Sequence, residues 1–327
     1  MPHKNMHTFR AMNTMCSTLG LSNASHREVE AWMAYVEQKA SRFLPNSEIT
    51  RINQSDAPLH IVSALIYHLM REAEVYYRET DGLFCHYLGK QLSSLGYAES
   101  FERMRDKFPA GNENSLLYRS NQAAQPKQIY CFKNGKAYTP ITIDAGNWID
   151  LGGIAKGWSV QKMADWLQKE GRREGLLNAG GDIVAWSDEA TGLPWQIQIL
   201  EPRDEKREVA RLTLHAGTVG IATSSWEKRR WRQSNGSVSH HIIDPRTQKS
   251  ASSDIWQATV LLPDLTAAEV YAKCLLILGT EQGPPWLRQR KPEAAYVLVK
   301  NDGSIEANRN IENYCVAYEV KQHVECI

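Results

Sequence analysis

The stretch Ile149–Trp158 reads IDLGGIAKGW and holds three glycines, one aspartate and one lysine in ten residues. Adjacent glycines let the backbone turn tightly and come close to a ligand. Apolar residues at helical spacing follow, so the stretch predicts a turn before a helix N-terminus, where unpaired N–H groups favour anions. A tight connection that binds nothing is the alternative interpretation.

Two common phosphate-binding motifs do not match this turn. A P-loop requires G-x-x-x-x-G-K-[ST], but Lys156 precedes Gly157, and no hydroxyl residue follows a Gly-Lys pair. The dinucleotide motif G-x-G-x-x-G does not fit the spacing of Gly152, Gly153 and Gly157. The turn therefore belongs to neither class.

A second turn lies in EGLLNAGGDIVAW, residues Glu174–Trp186. Asn178, Gly180, Gly181 and Asp182 stand between two short apolar strands, although Asp182 could simply bind turn amides. Two turns with so little side-chain cover, within about thirty residues of each other, predict a ligand groove.

A third segment, SHHIIDPRT, spans Ser239–Thr247. If its HII is a strand, His240 and His241 point to opposite faces, and only one of them can enter a given site. A hydrogen-bonded structural histidine is the alternative.

Composition excludes several classes of protein. The 327 residues carry 38 basic and 37 acidic side chains, so no global field favours nucleic acid or an anionic membrane. The basic run EKRRWRQ (Glu227–Gln233) is interpreted as a solvated loop. No apolar stretch approaches the ~20 residues of a membrane span. Six cysteines without C-x-x-C spacing, together with no apparent secretory signal, predict reduced thiols and a cytoplasmic location.

Helical and strand patterns are mixed along the chain. After a short first strand, Ser25–Glu28 has capping-box spacing before a helix, and a second amphipathic run follows from Val62. Strands are predicted at Trp195–Leu200, Ala210–Ala216 and Gln257–Leu262, with a hairpin turn at Asp302-Gly303 near the C-terminus. Because strands and helices do not alternate regularly, we expect an α+β fold rather than a doubly wound sheet. The length of 327 residues suits one large domain or two of ordinary size.

Taken in order, these segments resemble the FAD:protein FMN transferase family, also called ApbE-like. The motifs that carry the resemblance are AMNT (Ala11–Thr14), SRFLPNSEITRIN (Ser41–Asn53), DLGGIAKG (Asp150–Gly157), NAGGD (Asn178–Asp182), HIIDPRT (His241–Thr247) and AEVYAKCLLILG (Ala268–Gly279). They span almost the whole chain, from about Phe9 to Leu298.

The resemblance implies a single domain over residues 1–327, with an ApbE-like, T-fold-related α+β fold of mixed sheets and helices and an FAD cleft. It implies an enzyme that cleaves the FAD pyrophosphate, with Mg²⁺, and attaches FMN to a threonine or serine hydroxyl of a flavin-acceptor protein. Two alternatives remain open: an FAD-binding protein without transferase activity, acting as a carrier, sensor or assembly factor, and an FAD hydrolase that gives FMN and AMP.

The resemblance also assigns residues. Met12 would contact the flavin end, Phe43 would stack in the cleft, and Gly153 would turn its carbonyl to the metal. The other cofactor-binding positions are Leu95, Gly96, Tyr97, Asp150, Lys156, Asn178, Gly180, Gly181, Asp182, His241, Ile242 and Ile243. Lys156 would stabilise phosphoryl charge, and His241 is the candidate general base for the acceptor hydroxyl.

The resemblance breaks at the remaining metal ligands. An aspartate and a threonine of the family align with Glu269 and Lys273. Glutamate can still bind a cation, but lysine has only donors and repels one. The two residues could form an exposed i,i+4 pair, with Thr266 and Glu269 as a capping box. Alternatively, the Lys273 ammonium occupies the place of the metal and neutralises the FAD phosphates.

Overall fold

The computed structural model describes residues 5–101, 138–143, 147–190, 194–233 and 236–321. Backbone contacts divide the chain into two compact units, each built from separate segments. The first unit contains the described residues up to Met33, Lys156–Arg230 and those from Ala251 onward; the second contains those of Ala34–Ala155 and Trp231–Ser250. A single domain over residues 1–327 stays a prediction.

An eight-stranded antiparallel sheet forms the frame of the first unit. In spatial order its strands are β1 (Met6–Ala11), β2 (Thr14–Leu19), β5 (Gly175–Ala179), β6 (Asp182–Ser187), β9 (Gly217–Ser225), β14 (Ile255–Leu262), β15 (Ala295–Lys300) and β16 (Ile305–Ala307). Every residue of β14 is buried, as expected of a central strand with both faces covered.

A three-stranded antiparallel sheet shares a core with the large one. Its order is β17 (Cys315–Val320), β8 (Glu208–Leu214) and β7 (Gln196–Leu200). Strand β7 alternates, so Ile197 and Ile199 are buried while Gln196 and Gln198 are exposed. The inward residues join an apolar cluster with side chains of both sheets, including Leu176, Leu212, Val219, Ile221, Val297 and Val299.

Three helices complete the first unit. Helix α6 (Leu265–Arg290) packs on β9 and β14; its N-cap Asp264 accepts a hydrogen bond from the Ala267 amide at 2.9 Å. The helix is interrupted at Gly279, whose φ is 78°. Helix α5 (Ala155–Lys169) contacts α1 (Asn23–Ala40) where the Trp32 indole donates to the Ser159 carbonyl at 2.9 Å. The chain passes into the second unit within α1.

The second unit contains short elements. Its helices are α2 (Glu48–Asn53), α3 (Ala64–Glu79) and α4 (Gly89–Ser94); its strand pairs are β3 (Leu59–Ser63) with β4 (Tyr138–Thr142), β10 (Arg230–Arg232) with β11 (Val238–His240), and β12 (Ile243–Asp244) with β13 (Lys249–Ser250). The buried Glu48 carboxylate at the start of α2 links this helix to its neighbours. It accepts from the Ser63 amide, just before α3, at 2.8 Å and binds Lys39 of α1 at 2.9 Å. Ser47 and Ser63 cap α2 and α3.

The α+β prediction is confirmed, and the predicted strands and the C-terminal hairpin are present with shifted ends. Two helix starts differ from the sequence analysis. Ser25 lies inside α1, and its amide donates to the Ser22 hydroxyl at 3.2 Å, so Ser22 is the cap. Thr266 likewise lies inside α6, because Asp264 takes the capping position. Among the helices of the described ranges, none combines the length and apolar content needed to cross a bilayer.

Candidate functional site

Two hairpin turns lie side by side at one end of the large sheet. Met12–Asn13 joins β1 to β2, and Gly180–Gly181 joins β5 to β6. All four residues have positive φ, as two-residue hairpin loops of the primed type require. Because β2 pairs with β5, the turns are neighbours, and the Gly180 amide donates to the Met15 carbonyl at 3.1 Å.

Local packing fixes the identity of these turn residues. A Cβ at Gly180 would lie 2.2 Å from Thr14 Oγ1, so the position requires glycine by contact as well as by its φ of 68°. The Asn178 side chain accepts from the Gly181 amide at 2.8 Å and closes the turn. Asn13 stands at φ 56°, and asparagine tolerates the left-handed region better than most residues, so it can occupy a position suited to glycine.

Three of the candidate residues meet below these turns. Lys156, on the first turn of α5, donates to Asp182 at the start of β6 and to Glu269 Oε1 of α6 at 2.7 Å. The Glu269 side chain is 1% exposed, and its Oε2 accepts from the Gly157 amide at 2.7 Å. Gly157 permits this approach, because a Cβ there would lie 2.8 Å from Oε2.

Lys273 is the fourth member of what we call the charge network (Lys156, Asp182, Glu269, Lys273). One turn after Glu269 on α6, its Nζ lies 3.2 Å from Glu269 Oε1 and 3.3 Å from the Glu269 carbonyl oxygen. Glu269 is buried and only 17% of the Lys273 side chain is exposed. The alternative of an exposed helix-surface pair is therefore wrong. Glu269 packs inward because Lys156 and the Gly157 amide bind it from α5.

Mutual pairing sets the protonation states of the charge network. Burial would lower the pKa of Lys156, but the neighbouring Asp182 and Glu269 carboxylates outweigh it and raise the pKa. Burial would raise the pKa of Glu269, but the Lys156 and Lys273 ammonium groups lower it. Burial lowers the pKa of Lys273, partly offset by Glu269. The ion pairs thus keep Lys156 and Glu269 charged.

A divalent metal ion does not fit these residues. Glu269 Oε1 already accepts from two ammonium groups, and Oε2 from a backbone amide. Ammonium groups repel a divalent cation and offer it no lone pair. Within the described part of the chain, no group of three or more His, Cys, Asp or Glu side chains is arranged to hold a metal.

The second unit contains what we call the aromatic–arginine cluster (Arg42, Phe43, Tyr97, Asp150, Trp231). The Arg42 guanidinium pairs with the Asp150 carboxylate, donates to the Tyr97 carbonyl at 2.6 Å and lies 4.1 Å from the Phe43 ring centroid. The Tyr97 ring stacks on Trp231 with centroids 5.4 Å apart. The Trp231 indole donates to the Leu95 carbonyl at 2.8 Å.

Asp150 also shapes the glycine-rich turn. Its Oδ1 accepts from the Gly152 amide at 2.9 Å, and its own amide donates to the His86 carbonyl at 2.8 Å. The Asn53 side chain holds the preceding residue by two hydrogen bonds to the backbone of Ile149, at 2.7 and 2.9 Å. Gly153 belongs to this same turn, before α5.

His241 does not lie in a strand, contrary to the sequence interpretation. Strand β11 ends at His240, whose amide donates to Ser250 Oγ at 3.0 Å and whose carbonyl accepts from that hydroxyl at 2.9 Å. The chain then bends at the half-buried His241 before β12 begins at Ile243. This clamp at Ser250 fixes the backbone from which the His241 imidazole projects.

The predicted site residues thus fall into two groups. The first unit holds Met12, Lys156, Asn178, Gly180, Gly181, Asp182, Glu269 and Lys273. The second unit holds Phe43, Leu95, Gly96, Tyr97, Asp150, Gly153, His241, Ile242 and Ile243. Phe43, Leu95, Tyr97 and Ile243 share one apolar cluster, whereas His241 and Gly153 lie outside it. The ligand roles of all these residues stay predictions.

Sequence reasoning missed two residues. Arg42 lies inside SRFLPNSEITRIN but is not singled out by charge pattern. Trp231 lies in the basic run interpreted as a solvated loop; its arginine neighbours on either side are exposed, but Trp231 is buried at 6% exposure. An aromatic residue inside a basic run was the available signal, because a large apolar side chain gains most from burial.

Comparisons with known proteins agree with this architecture. The ApbE family model matches residues 8–298. The FAD:protein FMN transferase of Haemophilus influenzae is 26% identical over 289 residues, covering 88% of this chain and 81% of that protein. The protein of the same name from Vibrio cholerae is 26% identical over 284 residues, covering 86% and 81%.

Two solved structures share the fold. The ApbE protein of Thermotoga maritima superposes with a TM-score of 0.73 at 21% identity, covering 96% of this chain and 100% of that one. The flavin transferase ApbE of Vibrio cholerae gives a TM-score of 0.69 at 21% identity, covering 95% and 99%. With a family model that matches nearly its whole length, this chain belongs to the ApbE family.

Proposed function

We propose that this protein is an FAD:protein FMN transferase, an enzyme that moves FMN from FAD to a hydroxyl group of an acceptor protein. The relatives named above support the activity. The observation that carries it in the geometry is the Lys156 ammonium, held by two carboxylates, one of which, Asp182, directly follows the Gly180–Gly181 turn. A fixed cation next to a turn without side chains suits a pyrophosphate.

The chemistry requires one bond to form and one to break. The acceptor hydroxyl oxygen attacks the phosphorus of the FMN half, the bond from that phosphorus to the bridging oxygen breaks, and AMP leaves with that oxygen. The hydroxyl proton passes to the His241 imidazole, our candidate base. Lys156 donates to the phosphate oxygens; because its partners already orient it, little reorganisation is needed as charge develops.

Residues of the second unit are proposed to recognise the flavin. The half-buried Phe43 offers an aromatic surface. The buried Tyr97 supports it, with ring centroids 5.4 Å apart, and Arg42 holds Tyr97 through its carbonyl. Flat apolar surfaces with few polar groups are typical of cofactor sites. In this proposal Asp150 acts mainly by holding Arg42 and the Gly152 amide.

A transfer assay tests the proposal. Purified protein is incubated with FAD and a flavin-acceptor domain, and the intact mass of the acceptor is measured. We expect the acceptor to gain the mass of FMN less one water, and we expect His241→Ala to abolish this gain while FAD still binds. Transfer at the wild-type rate by His241→Ala would remove His241 as the base.

A second candidate function is an FAD-binding protein without transferase activity. The observation that favours it is Lys273, an ammonium at the position that aligns with a metal ligand.

Magnesium stays a prediction of the resemblance that the charge network does not favour. The cytoplasmic location and the absence of nucleic-acid partners also stay predictions.

A further inference from the structure

The charge network contains a second ammonium group, that of Lys273, beside Lys156. Glu269 Oε1 lies between two ammonium groups, 2.7 Å from Lys156 Nζ and 3.2 Å from Lys273 Nζ. Both carboxylates of the network are nearly buried, with Asp182 5% and Glu269 1% exposed. The formal charges of two lysines and two carboxylates therefore match without any added ion.

Lys273 has donor capacity that Glu269 does not use. An ammonium group carries three N–H donors. Within the described ranges, Lys273 Nζ donates to two oxygens of one residue, Glu269, at 3.2 and 3.3 Å, which is long for a charge-assisted bond. With 17% of its side chain exposed, Lys273 can present a donor to a ligand oxygen.

Glu269 fixes Lys273 at this place. The carboxylate is bound on its other side by Lys156 and by the Gly157 amide, so its position does not depend on Lys273. Lys273 follows it by one helical turn on α6, on the same face. The ammonium thus lies where a cation beside Glu269 would stand, carried by a covalently attached side chain.

We propose that Lys273 serves as the built-in cation of the site and binds an FAD phosphate together with Lys156, so that flavin binding and transfer need no divalent metal ion. This inference rests on the proposed function for its ligand. It takes up the alternative that the sequence left open for Lys273, and the structure adds that Glu269, held from its other side by Lys156 and the Gly157 amide, positions the Lys273 ammonium.

FAD affinity measured with and without metal tests the inference. The full chain is stripped with EDTA, and FAD binding is followed by flavin fluorescence in EDTA and in excess Mg²⁺. We expect equal affinity in both. Lys273→Met should weaken binding by about tenfold or more, as for the loss of one charge-assisted hydrogen bond, and Lys273→Arg should restore most of it. Lys162 is an exposed lysine of α5, so Lys162→Met is the matched control and should change affinity less than about twofold.

Two results would overturn the inference: FAD binding or transfer that EDTA abolishes and Mg²⁺ restores, or wild-type FAD affinity in Lys273→Met. Thermal unfolding without ligand separates a binding defect from a folding defect, because Glu269 keeps Lys156 and the Gly157 amide as partners in the variant. If no acceptor is labelled under any condition while Lys273→Met still weakens FAD binding in EDTA, the inference stands and the transferase proposal fails.

Discussion

The charge network and the aromatic–arginine cluster bury charge by different means. In the first, two lysines and two carboxylates neutralise one another, and the backbone supplies one amide donor. In the second, a single arginine pairs with Asp150 while its planar face lies on Phe43 and Tyr97. The first is suited to meet phosphate charge, and the second to meet a flat ring.

This difference between charge balance and planar geometry predicts which substitutions each cluster tolerates. A network that depends on charge balance fails when one sign is removed, because the remaining like charges are buried together. A cluster that depends on planar geometry fails when shape is lost even if charge is kept, because lysine cannot reproduce the guanidinium fork or its stacking.

The largest effect is expected from breaking the charge network at its centre. Glu269→Ala leaves Lys156 and Lys273 without their shared carboxylate and should lower the free energy of unfolding by about 3–5 kcal/mol. The measurement is urea unfolding of both proteins. Glu281→Ala, an exposed glutamate on the same helix, is the control and should change stability by less than about 0.5 kcal/mol. A loss in Glu269→Ala as small as the control's would mean that the network carries no stability.

Removing the arginine tests the second region. Arg42→Met removes the cationic partner of Asp150 and leaves its carboxylate with the Gly152 amide, so it should lower the free energy of unfolding by about 3 kcal/mol. Arg42→Lys should recover less than half of this loss, because lysine lacks the donor fork and the stacking. Exposed Arg51 provides the control variant, Arg51→Met. Full recovery by lysine would contradict the geometric account and make this cluster resemble the charge network.

The unit that contains the aromatic–arginine cluster also buries the His86 imidazole, whose Nε2 lies 3.9 Å from Glu74 Oε2. Burial lowers the pKa of His86 to about 3, and its carbonyl accepts from the Asp150 amide. The unfolded chain takes up this proton below its ordinary pKa, about 6.5, so the contribution is complete above that pH and is lost as the pH falls towards the folded value.

Between about pH 7.5 and about pH 5.5, wild type should therefore lose roughly 1.4 kcal/mol more stability than His86→Phe. Urea unfolding at the two pH values measures this difference, and His68→Phe, at an exposed position of α3, gives the reference. Equal losses in wild type and His86→Phe would show that His86 takes up its proton in the folded state.

A last pair of variants separates side-chain contact from backbone strain at the Gly180–Gly181 turn. A Cβ at Gly181 would face open space, but φ there is 102°, so Gly181→Ala should lower the free energy of unfolding by about 1–2 kcal/mol from backbone strain alone. Gly180→Ala adds the contact with Thr14 and should cost roughly 1–2 kcal/mol more. A Thr14→Ala background should remove most of that excess; an unchanged excess would assign the cost to the backbone.

Local sequence patterns predicted much of the fold and part of the surroundings of the charge network. Asn178 to Asp182 could be placed on a hairpin because a two-residue glycine turn between apolar strands has few other structures. The burial of Glu269 could not be predicted, because i,i+4 spacing with Lys273 is the same for an exposed pair and a buried one. Its partners, Lys156 and the Gly157 amide, lie 112 residues and more away along the chain.

The second region was harder to predict for a similar reason. Arg42, Tyr97, Asp150 and Trp231 come from four distant segments, and their contacts depend on tertiary packing rather than on spacing. The break after His240 was also hidden, because the Ser250 hydroxyl that clamps it belongs to another strand. Long-range partners of this kind leave no local periodicity.

The stoichiometry of AMP and flavinylated acceptor tests the central claim most directly. The protein is given FAD with and without a flavin-acceptor domain, AMP is quantified by chromatography, and the acceptor by flavin fluorescence in the denatured protein. An FMN transferase should release one AMP for each acceptor labelled, and almost none without acceptor. AMP release at the same rate without acceptor would make the protein a hydrolase, and no AMP in either sample, with FAD bound, would contradict the assignment as an enzyme.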